Sequence, residues 1–147
     1  MKSWIAKEKM TEKTPTLNKV MAYQNERLVK TLQRKLNLTR MGAILLFEDL
    51  KRFLYLCAIF KNNCAPTPKI DKAWHEFILN TRDYADFNEM QFGLFLHHRP
   101  GIPKRKSLPL IEKTKDNAKK AFGDLSSNWN IPANIGFDNP DTCDMCV

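Results

Sequence analysis

Residues 41–61 read MGAILLFEDLKRFLYLCAIFK, and this stretch decides the fold. Apolar side chains occupy most of its positions, and only Glu48, Asp49, Lys51 and Arg52 mark a polar side. A helix that is apolar over most of its circumference is buried by its neighbours on most sides. We therefore predict that residues 41–61 form the central helix of the protein.

Amphipathic segments flank this central segment on both sides. Before it, apolar residues recur at helical spacing over residues 17–36, and after it similar patterns fill three shorter stretches. Thr67 followed by Pro68 is typical of a helix start, and Gly93 is typical of a helix end. No stretch alternates as a strand does, so the sequence predicts an all-α fold: a single small domain of about five helices with an irregular C-terminal tail.

Length and composition are those of one globular domain, with 147 residues, 43% hydrophobic and 27% charged. The longest apolar run is far shorter than the roughly 20 residues that cross a bilayer. Charges near the start oppose a signal peptide, so we expect a cytoplasmic protein with reduced thiols. We divide the chain into a flexible basic arm over residues 1–16, a helical domain over residues 17–123 and an acidic tail over residues 124–147.

The net charge of +8 is unevenly distributed along the chain. Residues 1–40 hold ten basic and three acidic side chains, residues 101–123 hold seven and two, and residues 124–147 hold four acidic side chains alone. A basic strip attracts polyanions by displacing counterions from phosphates, although many such strips only keep a protein soluble. The candidate strip is formed by Lys104, Arg105, Lys106, Lys113, Lys115, Lys119 and Lys120, and Lys19, Arg27, Lys30, Arg34 and Lys35 would extend it.

Histidine and acidic residues suggest a metal site in the second half of the chain. Asp71 and His75 lie four residues apart, on the same face of a helix, so the carboxylate can orient the imidazole. His97 and His98 are adjacent in an extended linker, where neighbouring side chains point to opposite sides. We predict that His75 joins His97 or His98 at a transition metal, with Asp71 as ligand or orienting partner. The alternative is that His75 is a helix-capping or core histidine bonded to Asp71 without a metal, and that the His97–His98 pair buries one ring and exposes the other.

Cys143 and Cys146 have the spacing that lets two thiolates bind one tetrahedral ion. The histidines or Cys64 would have to supply the other ligands, whereas Cys57 is expected to be a core residue. Two thiolates and two imidazoles favour zinc, while a set of histidine and carboxylate ligands leaves iron or manganese open. A redox dithiol and an exposed pair without a function are the alternatives for the two terminal cysteines.

The motif IDKAWHEFILNTRDY over residues 70–84, followed by FGLFLHHRP over residues 92–100, resembles the glycine-rich domain-containing-protein-like family. The shared pattern is an Asp, a Trp-His pair, Thr and Tyr, Phe-Gly, and a His-His pair before Pro, within roughly residues 66–123. The resemblance implies no assigned activity. The RNA-associated role of the plant members does not carry over, because this chain has no glycine-rich part.

These observations favour a small cytosolic helical binding or scaffolding protein with a zinc site. The main alternative is a binder of nucleic acid or of an acidic protein partner that uses the basic strip with little sequence preference. A metal-dependent enzyme comes third, since the sequence contains no nucleophile elbow, phosphate-binding glycine loop or His-Glu-x-x-His motif.

Overall fold

A computed structural model describes residues 14–98 and 104–133, with the main chain alone over residues 104–106. These residues form six α-helices and a final 3-10 helix: α1 (Leu17–Ala22), α2 (Glu26–Leu36), α3 (Arg40–Ile59), α4 (Pro68–Leu79), α5 (Thr81–Phe92), α6 (Lys104–Phe122) and the 3-10 helix Ser127–Trp129. No strand occurs in this part of the chain, so the all-α prediction is confirmed. None of the described helices has the length and apolar character that a membrane span requires.

Helix α3 is the centre of the fold, as the apolar stretch predicts, and it contacts α1, α2, α4 and α6. Leu46, Leu50 and Phe53 on α3 are completely buried. The helix begins where the Thr39 hydroxyl accepts a hydrogen bond from the Gly42 N–H (3.0 Å), which satisfies one of the unpaired donors of the first turn. The neighbouring helices therefore pack around one apolar rod.

Two of the four charged residues predicted to mark the polar side of this helix are buried. Asp49 and Lys51 are each only 2% exposed. The Lys51 ammonium donates hydrogen bonds to the carbonyl groups of Met21 (2.8 Å) and Tyr23 (2.7 Å), and it lies 2.5 Å from the Glu48 carboxylate. The prediction was wrong for these two residues because polar groups from distant segments cover this side of α3.

The single helix predicted over residues 17–36 is interrupted, and its two parts are α1 and α2. Asn25 caps the second part, since its side-chain oxygen accepts the Leu28 N–H (3.0 Å) while its amide donates to Asp83 on α5 (2.9 Å). Lys51 bonds the carbonyl groups at the end of the first part. The break is stable because both new helix ends have polar partners.

The segment after α6 returns to the core. The Asp49 carboxylate accepts hydrogen bonds from the Ser126 hydroxyl (2.6 Å) and the Asn128 amide (2.8 Å), and the Thr67 hydroxyl donates to the Asn128 carbonyl (2.6 Å). Trp129 is 1% exposed. This buried side chain anchors the segment to the core.

Candidate functional site

Local sequence signals position the residues that meet at the candidate site. Helix α4 begins at Pro68 after the N-cap Thr67, which places Asp71 in the first turn and Trp74 one turn later on the same face. Helix α5 ends at Gly93, whose φ of 67° lies in the left-handed region that glycine adopts without strain. The chain leaves α5 at this glycine and brings residues 94–98 back onto α4.

His98 is seated between a carboxylate and an aromatic ring. Its Nε2 lies 2.6 Å from Oδ1 of Asp71, and the two side chains are only 10% and 6% exposed. The imidazole and indole centroids of His98 and Trp74 are 4.5 Å apart. An ionised carboxylate only accepts hydrogen bonds, so Nε2 is the donor in this contact; in a neutral imidazole, Nδ1 is then the acceptor nitrogen.

The second nitrogen of this ring, Nδ1, is buried. Within the described residues, Nδ1 of His98 has no hydrogen-bond partner. Buried polar atoms in proteins are nearly always paired, and a buried orphan calls for a physical explanation. A metal ion or a hydrogen-bond donor at Nδ1 would satisfy it.

Tyr84 fixes the surroundings of His98. The indole N–H of Trp74 donates to the Tyr84 hydroxyl (2.9 Å), and that hydroxyl donates to the carbonyl group of Leu96, two residues before His98. Burial raises the pKa of Tyr84 above its ordinary value, so the hydroxyl keeps its proton and can donate. Sequence spacing gives no signal for the hydrogen bonds between these residues.

The structure brings together only part of the predicted metal site. Asp71 pairs with His98 instead of its predicted partner, His75. His75 lies one turn further along α4 and is half-buried. His97 is exposed and its ring packs on Phe95, with centroids 4.8 Å apart. In the described ranges, no three His, Cys, Asp or Glu side chains converge closely enough to hold a metal ion. Cys143 and Cys146 lie outside those ranges.

The predicted basic strip lies on α6, which begins at Lys104. Lys113, Lys119 and Lys120 are exposed, whereas the side chains of Lys104, Arg105 and Lys106 are outside those described. Lys119 also lines a cleft of about 630 Å³ between the end of α6 and the segment that follows it. Acidic residues interrupt this surface at Glu112 and Asp116.

A more uniform basic surface lies on α2. Arg27, Lys30 and Arg34 are exposed at positions i, i+3 and i+7, on one face of the helix. The acidic residue of this helix, Glu26, is held by the Arg40 guanidinium through contacts of 2.6 and 2.9 Å. The hydrogen bond from Arg40 lowers the pKa of Glu26, so Glu26 is ionised and already paired. The outward face of α2 is therefore positively charged.

Comparison with known proteins tests the predicted resemblance. No curated protein and no solved structure matches the chain. The resemblance to the glycine-rich domain-containing-protein-like family is wrong, because the family model that matches is a different one. That model spans residues 11–126 and so includes every helix from α1 to α6. The chain belongs to the UCP032817-like family, which is uncharacterised.

Proposed function

We propose that the protein is a small helical binding protein with a transition-metal site, in which Nδ1 of His98 is a ligand and Asp71 orients the ring. The observation that supports this proposal is that Nδ1 is buried and, among the residues that the structure describes, has no partner, while a carboxylate holds Nε2. Metal-binding histidines nearly always donate their other ring N–H to a carboxylate, a carbonyl group or a water molecule. Leaving such a nitrogen buried without a partner costs about 1–3 kcal/mol, and a bound metal would remove this cost.

One imidazole does not make a metal site, so further ligands are part of the proposal. His75 is the remaining candidate imidazole, because His97 is exposed and points away from His98, and Cys143 and Cys146 offer a thiolate pair. Sulfur and nitrogen ligands together select zinc, whereas nitrogen and oxygen ligands also suit iron or manganese. Asp71 acts in this proposal as the orienting partner, since its Oδ1 is engaged by His98.

Metal analysis of the full chain, purified without a polyhistidine tag, tests the proposal. We expect near-stoichiometric zinc, iron or manganese in the wild-type protein and its loss in His98→Ala. Asp71→Asn should weaken metal affinity by about 10- to 100-fold, as the loss of an orienting partner does. Lys72→Ala, next to Asp71 and exposed, is the matched control and should bind as the wild type does.

Two results would contradict the metal proposal. The first is a wild-type protein that takes up none of the three metals after dialysis against each. The second is a His98→Ala variant that is folded by circular dichroism and binds metal as tightly as the wild type. Metal loss in His75→Ala or in a Cys143→Ser and Cys146→Ser double variant would identify the remaining ligands, whereas His97→Ala should retain the metal.

A second candidate function is favoured by the charge of α2: we propose that this face binds nucleic acid through phosphate contacts. Arg27, Lys30 and Arg34 follow one side of the helix, and the nearby carboxylate of Glu26 is occupied by Arg40. Such contacts are independent of base sequence and weaken with salt, because each bound phosphate releases counterions. No base-reading motif accompanies these charges in the sequence.

Fluorescence anisotropy with labelled duplex and single-stranded DNA tests this second function. The association constant should fall linearly with salt on logarithmic axes, with a slope of about −0.9 for each duplex phosphate contacted. Replacing Arg27, Lys30 and Arg34 by Gln should reduce both affinity and slope, while the same change at the exposed Lys69, Lys72 and Arg82 serves as the matched control. Absence of binding at low salt, or an α2 variant that binds as tightly as the control variant, would contradict a role for α2.

A further inference from the structure

The chain reverses direction directly after α3 and returns along it. Lys61 and Asn62 both adopt left-handed conformations, with φ of 55° and 66°. The Asn62 N–H donates to the carbonyl group of Cys57 (2.8 Å), and the Asn63 N–H donates to that of Phe60 (3.0 Å). Two consecutive left-handed residues and these hydrogen bonds define a tight reversal, which places Cys64 next to the last turns of α3.

Cys57 and Cys64 lie close to each other as a result of this reversal. Each side chain shifts the pKa of the other, so the two thiols interact. Cys57 is buried in the core, whereas Cys64 is half-buried and packs against the same core. The Ala65 N–H donates to the Thr114 hydroxyl (3.0 Å), which fixes the segment containing Cys64 on α6. The pair therefore consists of one buried cysteine and one partly exposed cysteine.

The surroundings shift the pKa values of the two thiols in opposite directions. Contact with the Cys57 thiol lowers the pKa of Cys64, and the Thr114 hydroxyl and the Lys113 ammonium add to this lowering against the effect of partial burial. Burial raises the pKa of Cys57 well above its ordinary value. Cys64 is thus the nucleophilic thiol, and Cys57 retains its proton beside it.

We propose that Cys57 and Cys64 form an oxidisable dithiol whose oxidant is a hydroperoxide. Cysteines that react with peroxide are typically solvent-accessible and lie next to a second thiol that resolves the oxidised form. The observations that carry the proposal are the tight reversal that brings Cys64 back to the end of α3, the packing of both side chains in the same core, and the partial exposure of Cys64.

The reaction has two steps. In the first, the Cys64 thiolate attacks one peroxide oxygen, the O–O bond breaks, and hydroxide or alkoxide leaves, so that Cys64 becomes a sulfenic acid. In the second, the Cys57 sulfur attacks the Cys64 sulfur, the S–O bond breaks, and the departing hydroxide takes the Cys57 proton as water. Two thiols are oxidised to one disulfide, and the peroxide is reduced to water, or to water and an alcohol.

Peroxide treatment of the folded full chain tests the proposal. Cys143→Ser and Cys146→Ser are introduced so that only the two thiols of interest remain. Hydrogen peroxide should then remove both titratable thiols, and peptide mass spectrometry should find Cys57 linked to Cys64. Dithiothreitol should restore both thiols. In a further Cys57→Ser variant, oxidation should stop at a Cys64 sulfenic acid that dimedone traps, and Cys64→Ser should form no adduct at Cys57.

Several results would contradict the proposal of an oxidisable dithiol. Both thiols could survive peroxide in the folded protein, or the Cys57→Ser variant could give no dimedone adduct at Cys64. A disulfide that forms no faster in the folded protein than in urea would show that the native contact contributes nothing. Should Cys57→Ser fail to fold by circular dichroism, Cys57→Ala replaces it in the same assay, with the same expected adduct.

Discussion

Lys51→Met tests whether a buried ammonium holds the corner between α1 and α2. Methionine preserves the unbranched apolar stem of Lys51 but removes the charge and its donors. The carbonyl groups of Met21 and Tyr23 then lose hydrogen bonds of 2.8 and 2.7 Å, and Glu48 loses its partner at 2.5 Å. The corner would be left with buried acceptors that no group satisfies.

The expected loss of stability follows from these contacts. A hydrogen bond to a charged group contributes about 1.5–3 kcal/mol, so the two carbonyl groups account for roughly 3 kcal/mol at the low end of that range. The Glu48 side chain is 32% exposed, and solvation of its carboxylate reduces the further loss. We expect Lys51→Met to lower the free energy of unfolding by about 2–4 kcal/mol, a large share of the roughly 5–15 kcal/mol typical of a small domain.

Urea unfolding followed by far-ultraviolet circular dichroism measures this change. Lys72→Met on α4 is the matched control, since Lys72 is exposed, and it should change stability by no more than about 0.5 kcal/mol. The dependence of free energy on urea should stay the same, because both variants expose similar surface on unfolding. A Lys51→Met variant within about 1 kcal/mol of the control would refute the reasoning.

Two further predictions follow from burial and charge. Trp129→Ala should destabilise the protein by about 3–5 kcal/mol in the same urea assay, because this side chain is 1% exposed in the core. Equal losses of stability in Trp129→Ala and Asn130→Ala would contradict this packing. Alkylation of Cys64 should reach half its maximal rate at a lower pH in the folded protein than in urea. The reason is that only the thiolate reacts and that contact with Cys57 lowers the pKa of Cys64. Coincident pH profiles in the folded protein and in urea would contradict that contact.

Sequence patterns were sufficient for the central helix and insufficient for its buried charges. The apolar circumference of α3 requires cover on most sides, whatever the covering segments are. The burial of Lys51 and Asp49 depends instead on particular partners, Met21 and Asn128, which lie 30 and 79 residues away in the chain. Periodicity describes one helix at a time, so it places charged residues on the solvent side unless such distant partners are known.

At the candidate site too, sequence patterns predicted features set by neighbouring residues but not contacts between distant segments. Alternation in the linker predicted opposite directions for His97 and His98, and this is confirmed, since His97 is exposed and His98 is 10% exposed. Helical spacing instead selected His75 as the partner of Asp71, whereas the actual partner, His98, lies 27 residues later. Spacing identifies residues that share one face of a helix, but it does not identify the segment that covers that face. Here the covering segment comes after the turn at Gly93.

The tautomer of His98 tests most directly the claim that Asp71 holds this ring for a metal. A long-range proton–nitrogen NMR correlation spectrum of the imidazoles distinguishes the two neutral tautomers. We predict a His98 ring protonated at Nε2 and unprotonated at Nδ1, and a zinc-induced change centred on Nδ1. A ring protonated at Nδ1, or a His98 spectrum that zinc leaves unchanged, would contradict the account.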